Sequence, residues 1–172
     1  MEERRGFIHE KLEIKLLILF VLRRLPAEID AEKLAELVLI DGGISYFDYK
    51  DCLAELVQSA QVEEGEDGFR VTAKGSHNGE ILETGLPFSV RKKAERAIAP
   101  VAEEMRRSAM ILANHEIGDS GVTVYLAVND GVGSIFDLKI LAADEAQAKR
   151  IEKNFKKNAE SFYNRFITEL SE

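Results

Sequence analysis

The sequence predicts an α+β protein in which three helices and a hairpin are followed by a connecting helix and a three-stranded antiparallel sheet covered by a long C-terminal helix. Three observations carry this. The apolar run Leu16 to Leu22 has no polar interruption, so its helix must be covered nearly all round. Residues 109–141 alternate with a period of two, which marks strands. Residues 144–170 return to 3- and 4-residue apolar spacing, which marks a helix.

The apolar run falls far short of the ~20 residues that a bilayer crossing needs. Lys11, Lys15, Arg23 and Arg24 bracket it, so it reads as a core helix, and no membrane partner is expected. Its helix is expected from about Phe7 to Leu25, where Pro26 forces the preceding residue out of helical geometry. Asp30 can cap a second helix, Ala31 to about Leu39, which Asp41-Gly-Gly43 ends. Ser45, followed three residues later by Asp48, resembles a capping box. It opens a third helix through about Ser59, with Tyr46, Tyr49, Leu53, Leu56 and Val57 at inward spacing.

The period then changes. Two short runs flank the turn residues Glu66-Asp-Gly68, a hairpin signal in which glycine supplies the positive φ. Helix, helix, helix, hairpin is the order of a winged helix-turn-helix, with Ile29 as the candidate third strand of the wing and the third helix as its reader. A helical stretch to about Thr84 follows, and Gly85-Leu-Pro87 breaks the chain before a polar-rich helix from Ser89 to about Arg107. The domains are accordingly placed at 1–85 and 86–172. Arg91, Lys92, Lys93 and Arg96 early on the connecting helix and Arg106 and Arg107 at its end read most simply as a solvated face, with a basic docking surface as the lesser reading.

Strands are expected over Ala109 to Ile117, Val122 to Asn129 and Ser134 to Leu141. Asn129-Asp-Gly131 makes a tight reversal between the last two. The closing helix, about 27 residues from Asp144 to Leu170, spans ~40 Å, against ~26 Å for an eight-residue strand. Phe162, Phe166 and Leu170 therefore overhang the sheet and need another partner, helix one or a second subunit. A two-fold homodimer is expected, with these three residues at its interface.

Composition bounds the chemistry. The 45% hydrophobic content supports folded cores, and the single Cys52 excludes an internal disulfide. Met1-Glu-Glu-Arg-Arg lacks the apolar region of a signal peptide, so cytoplasmic residence is expected. His9, His77 and His115 lie too far apart for a helical metal pair, and no cofactor or metal is expected. Cys52 has no neighbouring His and reads as a core or boundary thiol. Gly131-Val-Gly133 lacks the Lys-Ser/Thr pair of a phosphate cradle, and Glu63, Glu64, Glu66 and Asp67 lack the order of a calcium loop. No catalytic site is visible, so an enzyme is not expected.

Charge bears on nucleic acid. Residues 1–85 carry 18 acidic and 10 basic side chains and residues 86–172 carry 13 of each, so the first half holds the whole net charge of −8. On the reader helix Asp48, Lys50, Asp51, Glu55 and Gln58 are expected outward, and the wing sets Glu63, Glu64, Glu66 and Asp67 against Arg70 alone. Both surfaces repel phosphate unless Arg4, Arg5, Arg23 and Arg24 face the same way.

Further residues carry a resemblance: Lys11-Leu-Glu-Ile-Lys-Leu-Leu-Ile-Leu-Phe-Val-Leu22, Tyr46-Phe47 with Leu53-Ala-Glu-Leu-Val57, Thr72-Ala-Lys-Gly75, Phe136-Asp-Leu-Lys139 and Asn154-Phe-Lys-Lys-Asn-Ala159. With these the whole chain resembles an uncharacterised bacterial family of about this length, catalogued as a domain of unknown function. The front half of that family is similar to the winged helix of bacterial transcriptional regulators. The resemblance implies no activity or ligand. It departs at Lys50-Asp-Cys52, where the family pattern is Gln-Gln-Tyr, and the added acid weakens the case for DNA.

The function expected is therefore that of a winged-helix regulator binding DNA as a dimer through Tyr46, Lys50, Gln58 and Arg70. The alternative is an interaction module whose acidic wing binds a basic partner protein.

Overall fold

The structure, a computed structural model, describes residue 8 and residues 10–119 and 121–172. The chain divides into two compact units, the first ending at Met105 and the second beginning at Arg106.

In the first unit α1 spans Lys11–Leu22, and every residue from Leu16 to Leu22 is buried, as the unbroken apolar run requires. The expected start at Phe7 lies outside the described residues. The helix ends three residues before Leu25, and Arg23 and Arg24 donate back to the Leu19 and Val21 carbonyls as it unwinds toward Pro26. Asp30 caps α2 (Ala31–Val38) by accepting the N–H groups of Glu32 and Lys33. A 3₁₀ turn, Leu39–Asp41, leads to α3 (Tyr46–Gln58). Ser45 caps α3 by accepting the Asp48 N–H, and its hydroxyl donates to the Asp48 carboxylate at 2.7 Å.

The hairpin is β1 (Val62–Glu64) and β2 (Phe69–Val71), antiparallel, with Glu63 opposite Arg70. Ile29 adds a bridge to Phe69, exchanging hydrogen bonds of 3.1 and 2.8 Å, so the expected third strand is present as a single rung. Gly68 closes the turn at φ 140°, and a Cβ there would run into the Ile29 carbonyl. Helix α4 (Ala73–Ile81) is shorter than expected because a 3₁₀ turn, Glu83–Gly85, replaces its last part. Helix α5 (Phe88–Ala109) adds Val90, Ala94, Ile98 and Ala102 to the first core, which places the unit boundary beyond residue 86.

The second unit holds β3 (Ile111–Gly118), β4 (Gly121–Asn129) and β5 (Ser134–Ala142), antiparallel in the order β3-β4-β5. The β4–β5 reversal is the tight one expected, with the Asp130 N–H donating to the Gly133 carbonyl. Helix α6 (Glu145–Ser171) covers one face, packing Ala148, Phe155 and Ala159 against Ala113, Val122, Val124 and Leu126. His115 of β3 and Glu152 of α6 meet at 2.6 Å beside this core.

α6 is not one straight rod. Asn158 leaves helical geometry at φ −130° and ψ 20°, and its amide donates to the Asn154 carbonyl. Beyond the break Phe166 lies 5.5 Å from the Phe136 ring and Phe162 lies 6.1 Å from Phe155. The expectation that Phe166 would lack a partner on its own sheet is corrected by its contact with Phe136 of β5, whereas the ring that Phe162 meets, Phe155, belongs to α6 itself. Phe162 and Phe166 each keep 37% exposure, whereas Leu170 at 80% has no such cover.

Candidate nucleic-acid interface

The outer surface of α3 is set by helical phase. Tyr49, Cys52, Leu53 and Leu56 fill the buried stripe, which leaves Lys50, Asp51, Ala54, Glu55 and Gln58 exposed and Asp48 half-buried. Tyr46 keeps the inward spacing but stands 53% exposed. As the first residue of α3 it projects past the core, and its ring rests on Tyr49 at 6.0 Å. Phe47 is 81% exposed, a large apolar side chain on the solvent side that the spacing argument passed over. Its phase, one residue off the stripe, is the signal that marks it.

Two acids of α3 are turned aside. Lys15 of α1 bonds Glu55, and Lys11 lies 3.7 Å from both Asp51 and Glu55. The Lys15 hydrogen bond holds the Glu55 carboxyl below its ordinary range. Lys50 has no ion-pair partner among the described residues, so the cation of this helix is free while two of its three acids are paired and the third, Asp48, accepts the Ser45 hydroxyl.

The hairpin is arranged the other way. Arg70 bonds Glu63 and stands 3.7 Å from Glu28, leaving Glu64, Glu66 and Asp67 without a cation among the described residues. Glu28, from the linker after Pro26, also accepts the Asp67 N–H at 3.1 Å and so fastens the hairpin to the end of α1. Arg23 and Arg24 do not supplement this surface. They bond Glu83 at 2.8 and 2.9 Å, and the Arg24 guanidinium stacks on Phe20 at 3.4 Å. Burial alone would raise the Glu83 carboxyl, but the two guanidinium hydrogen bonds outweigh it and hold it below the usual range. Arg4 and Arg5 lie outside the described residues.

Beneath α3, burial pushes the Tyr49 phenol and the Cys52 thiol up, so both stay protonated at neutral pH. The Cys52 thiol donates to the Lys11 carbonyl at 3.6 Å in the core. It is a packing group. Among the described residues no three metal-ligating side chains cluster, and no helix is long and apolar enough to cross a membrane.

The family described as "Domain of unknown function (DUF4364)" matches residues 14–170. The chain belongs to the DUF4364 family. The match starts inside α1 and ends inside α6, so one family pattern spans both units. No curated protein and no solved structure matches the chain. The DUF4364 description assigns no activity, which leaves the geometry of α3 and the hairpin as the ground for a functional reading.

Proposed function

We propose that this member of DUF4364 is a cytoplasmic, transcription-regulator-like protein whose winged-helix unit reads duplex DNA with α3, acting as a two-fold homodimer. One observation carries the reading. Asp51 and Glu55 are paired with Lys11 and Lys15, so of the three acids on α3 only Asp48, which accepts the Ser45 hydroxyl, lacks a cation among the described residues on the face that carries Lys50, Gln58, Tyr46 and Phe47. The repulsion implied by a residue-by-residue charge count is thereby reduced where base edges would be read.

The test is retention of genomic fragments at ~50 mM salt, where attraction to phosphate is strong. Wild type retains specific fragments, and Lys50→Glu loses them with a 10- to 100-fold drop in affinity, about 1–3 kcal/mol per base-edge or phosphate contact. Light scattering tests the dimer: a particle of 19.3 kDa at micromolar concentration rejects it.

A second reading is favoured by the hairpin, where Arg70 is taken up by Glu63 and Glu28 and the remaining acids stand exposed. A basic partner protein suits that surface. Wild type that ignores duplex at low salt but binds a basic peptide selects this reading over the first.

A further inference from the structure

If α3 reads DNA, phosphate contacts must come from elsewhere, because the hairpin is acidic and Arg23 and Arg24 are bonded to Glu83. The outward face of α5 supplies candidates. Its buried stripe is Val90, Ala94, Ile98 and Ala102, and with 3.6 residues per turn Lys92, Lys93 and Arg96 fall together on the opposite side, within an arc of about 100°. All three are exposed.

Their position in the unit follows from one bond. Lys93 Nζ donates to the carbonyl of Ile40, in the 3₁₀ turn between α2 and α3. The basic face of α5 therefore abuts the turn that leads into α3. A lysine ammonium has three donors, so the bond to Ile40 positions Lys93 without exhausting it. Lys92 shares its charge with Glu95 at 2.9 Å, and Arg96 has no ion-pair partner among the described residues. From Lys92 to Arg96 the face thus carries three cations against Glu95, and the next acid on the same side, the exposed Glu103, lies two turns further along α5.

We infer that Lys92, Lys93 and Arg96 form a phosphate-binding shoulder beside the α2–α3 turn, gripping the DNA backbone that flanks the groove entered by α3. This rests on the proposed reading of α3 and adds to it the source of the electrostatic affinity. Base contacts and backbone contacts are then divided between two helices, which is the usual partition between specificity and positioning.

The experiment is the salt dependence of binding to a retained genomic fragment, for wild type and for a Lys92→Ala/Arg96→Ala double variant that leaves the Lys93–Ile40 bond in place. Removing one cation from a phosphate lowers the slope of log affinity against log salt by about 0.9, so the double variant is expected to fall by about 2 while keeping the same fragment preference and melting temperature. An unchanged slope overturns the shoulder but leaves the α3 reading intact. Wild type that binds no fragment overturns both. Loss of polyglutamate binding, with DNA slopes unchanged, assigns the face to an acidic protein and likewise rejects the proposal.

Discussion

Helices α1 and α6 are built on opposite plans. In α1, eight of 12 residues are buried, and its apolar character extends all round because α2, α3 and α5 contribute to the core around it. In α6, three of 27 residues are buried, and the helix serves as a lid on one face of a sheet. The difference teaches where a substitution is costly. A position in the middle of α1 has no solvent side, whereas most positions on α6 have one, and stability is concentrated in the shorter helix.

The largest expected effect follows. Leu17 and Phe20 are fully buried, so Leu17→Asp or Phe20→Asp places an unpaired charge in the core. A loss above about 4 kcal/mol unfolds the first unit. Wild-type melting of both variants, followed by circular dichroism, breaks the contrast outright. Next, Phe155→Ala removes the main anchor of α6, 3% exposed and stacked on Phe136. The expected cost is about 3 kcal/mol, confined to the second unit. Exchange protection that falls equally in α1 removes the claim that each helix serves its own core.

A smaller effect is expected at the polar end of α1. Glu83→Gln weakens the bonds to Arg23 and Arg24 and costs about 1–3 kcal/mol at pH 7. The folded carboxyl lies below its ordinary value, so its stabilisation is present above about pH 4.3 and is lost as pH falls through the folded value. Urea midpoints of wild type and variant should therefore converge as pH falls below about 4.3, and a difference that stays constant on acidification rules the pairing out. The smallest effect belongs to Leu170→Ser, at 80% exposure, with a change within about 0.5 kcal/mol for an isolated chain. A concentration-dependent drop in melting temperature well beyond this sharpens the case for a dimer interface at the end of α6.

Local patterns were legible where one residue type decides the outcome. Pro26, the Asp30 and Ser45 caps, the Gly68 turn and the alternation of β4 each act within a few residues, and each stands where the sequence puts it. The Ile29 rung was legible because the order of helices leaves it beside the hairpin. The break at Asn158 was not, since a continuous 3- and 4-residue spacing hides a single non-helical residue. Charge was the least legible property. Counting Asp51 and Glu55 against α3 gives the wrong surface, because Lys11 and Lys15 come from a helix distant in the chain, and the same holds for Arg23 and Arg24 with Glu83.

Cys52 has a practical consequence. It is the chain's single thiol, fully buried between α1 and α3, and kept protonated by its surroundings. A thiol-specific dye reaches it only when those two helices separate. The ratio of its labelling rate to that of a free cysteine at the same pH measures how often the first core opens. The unmodified protein thus carries its own reporter, able to show whether DNA, a basic peptide or a second subunit tightens the unit that it touches.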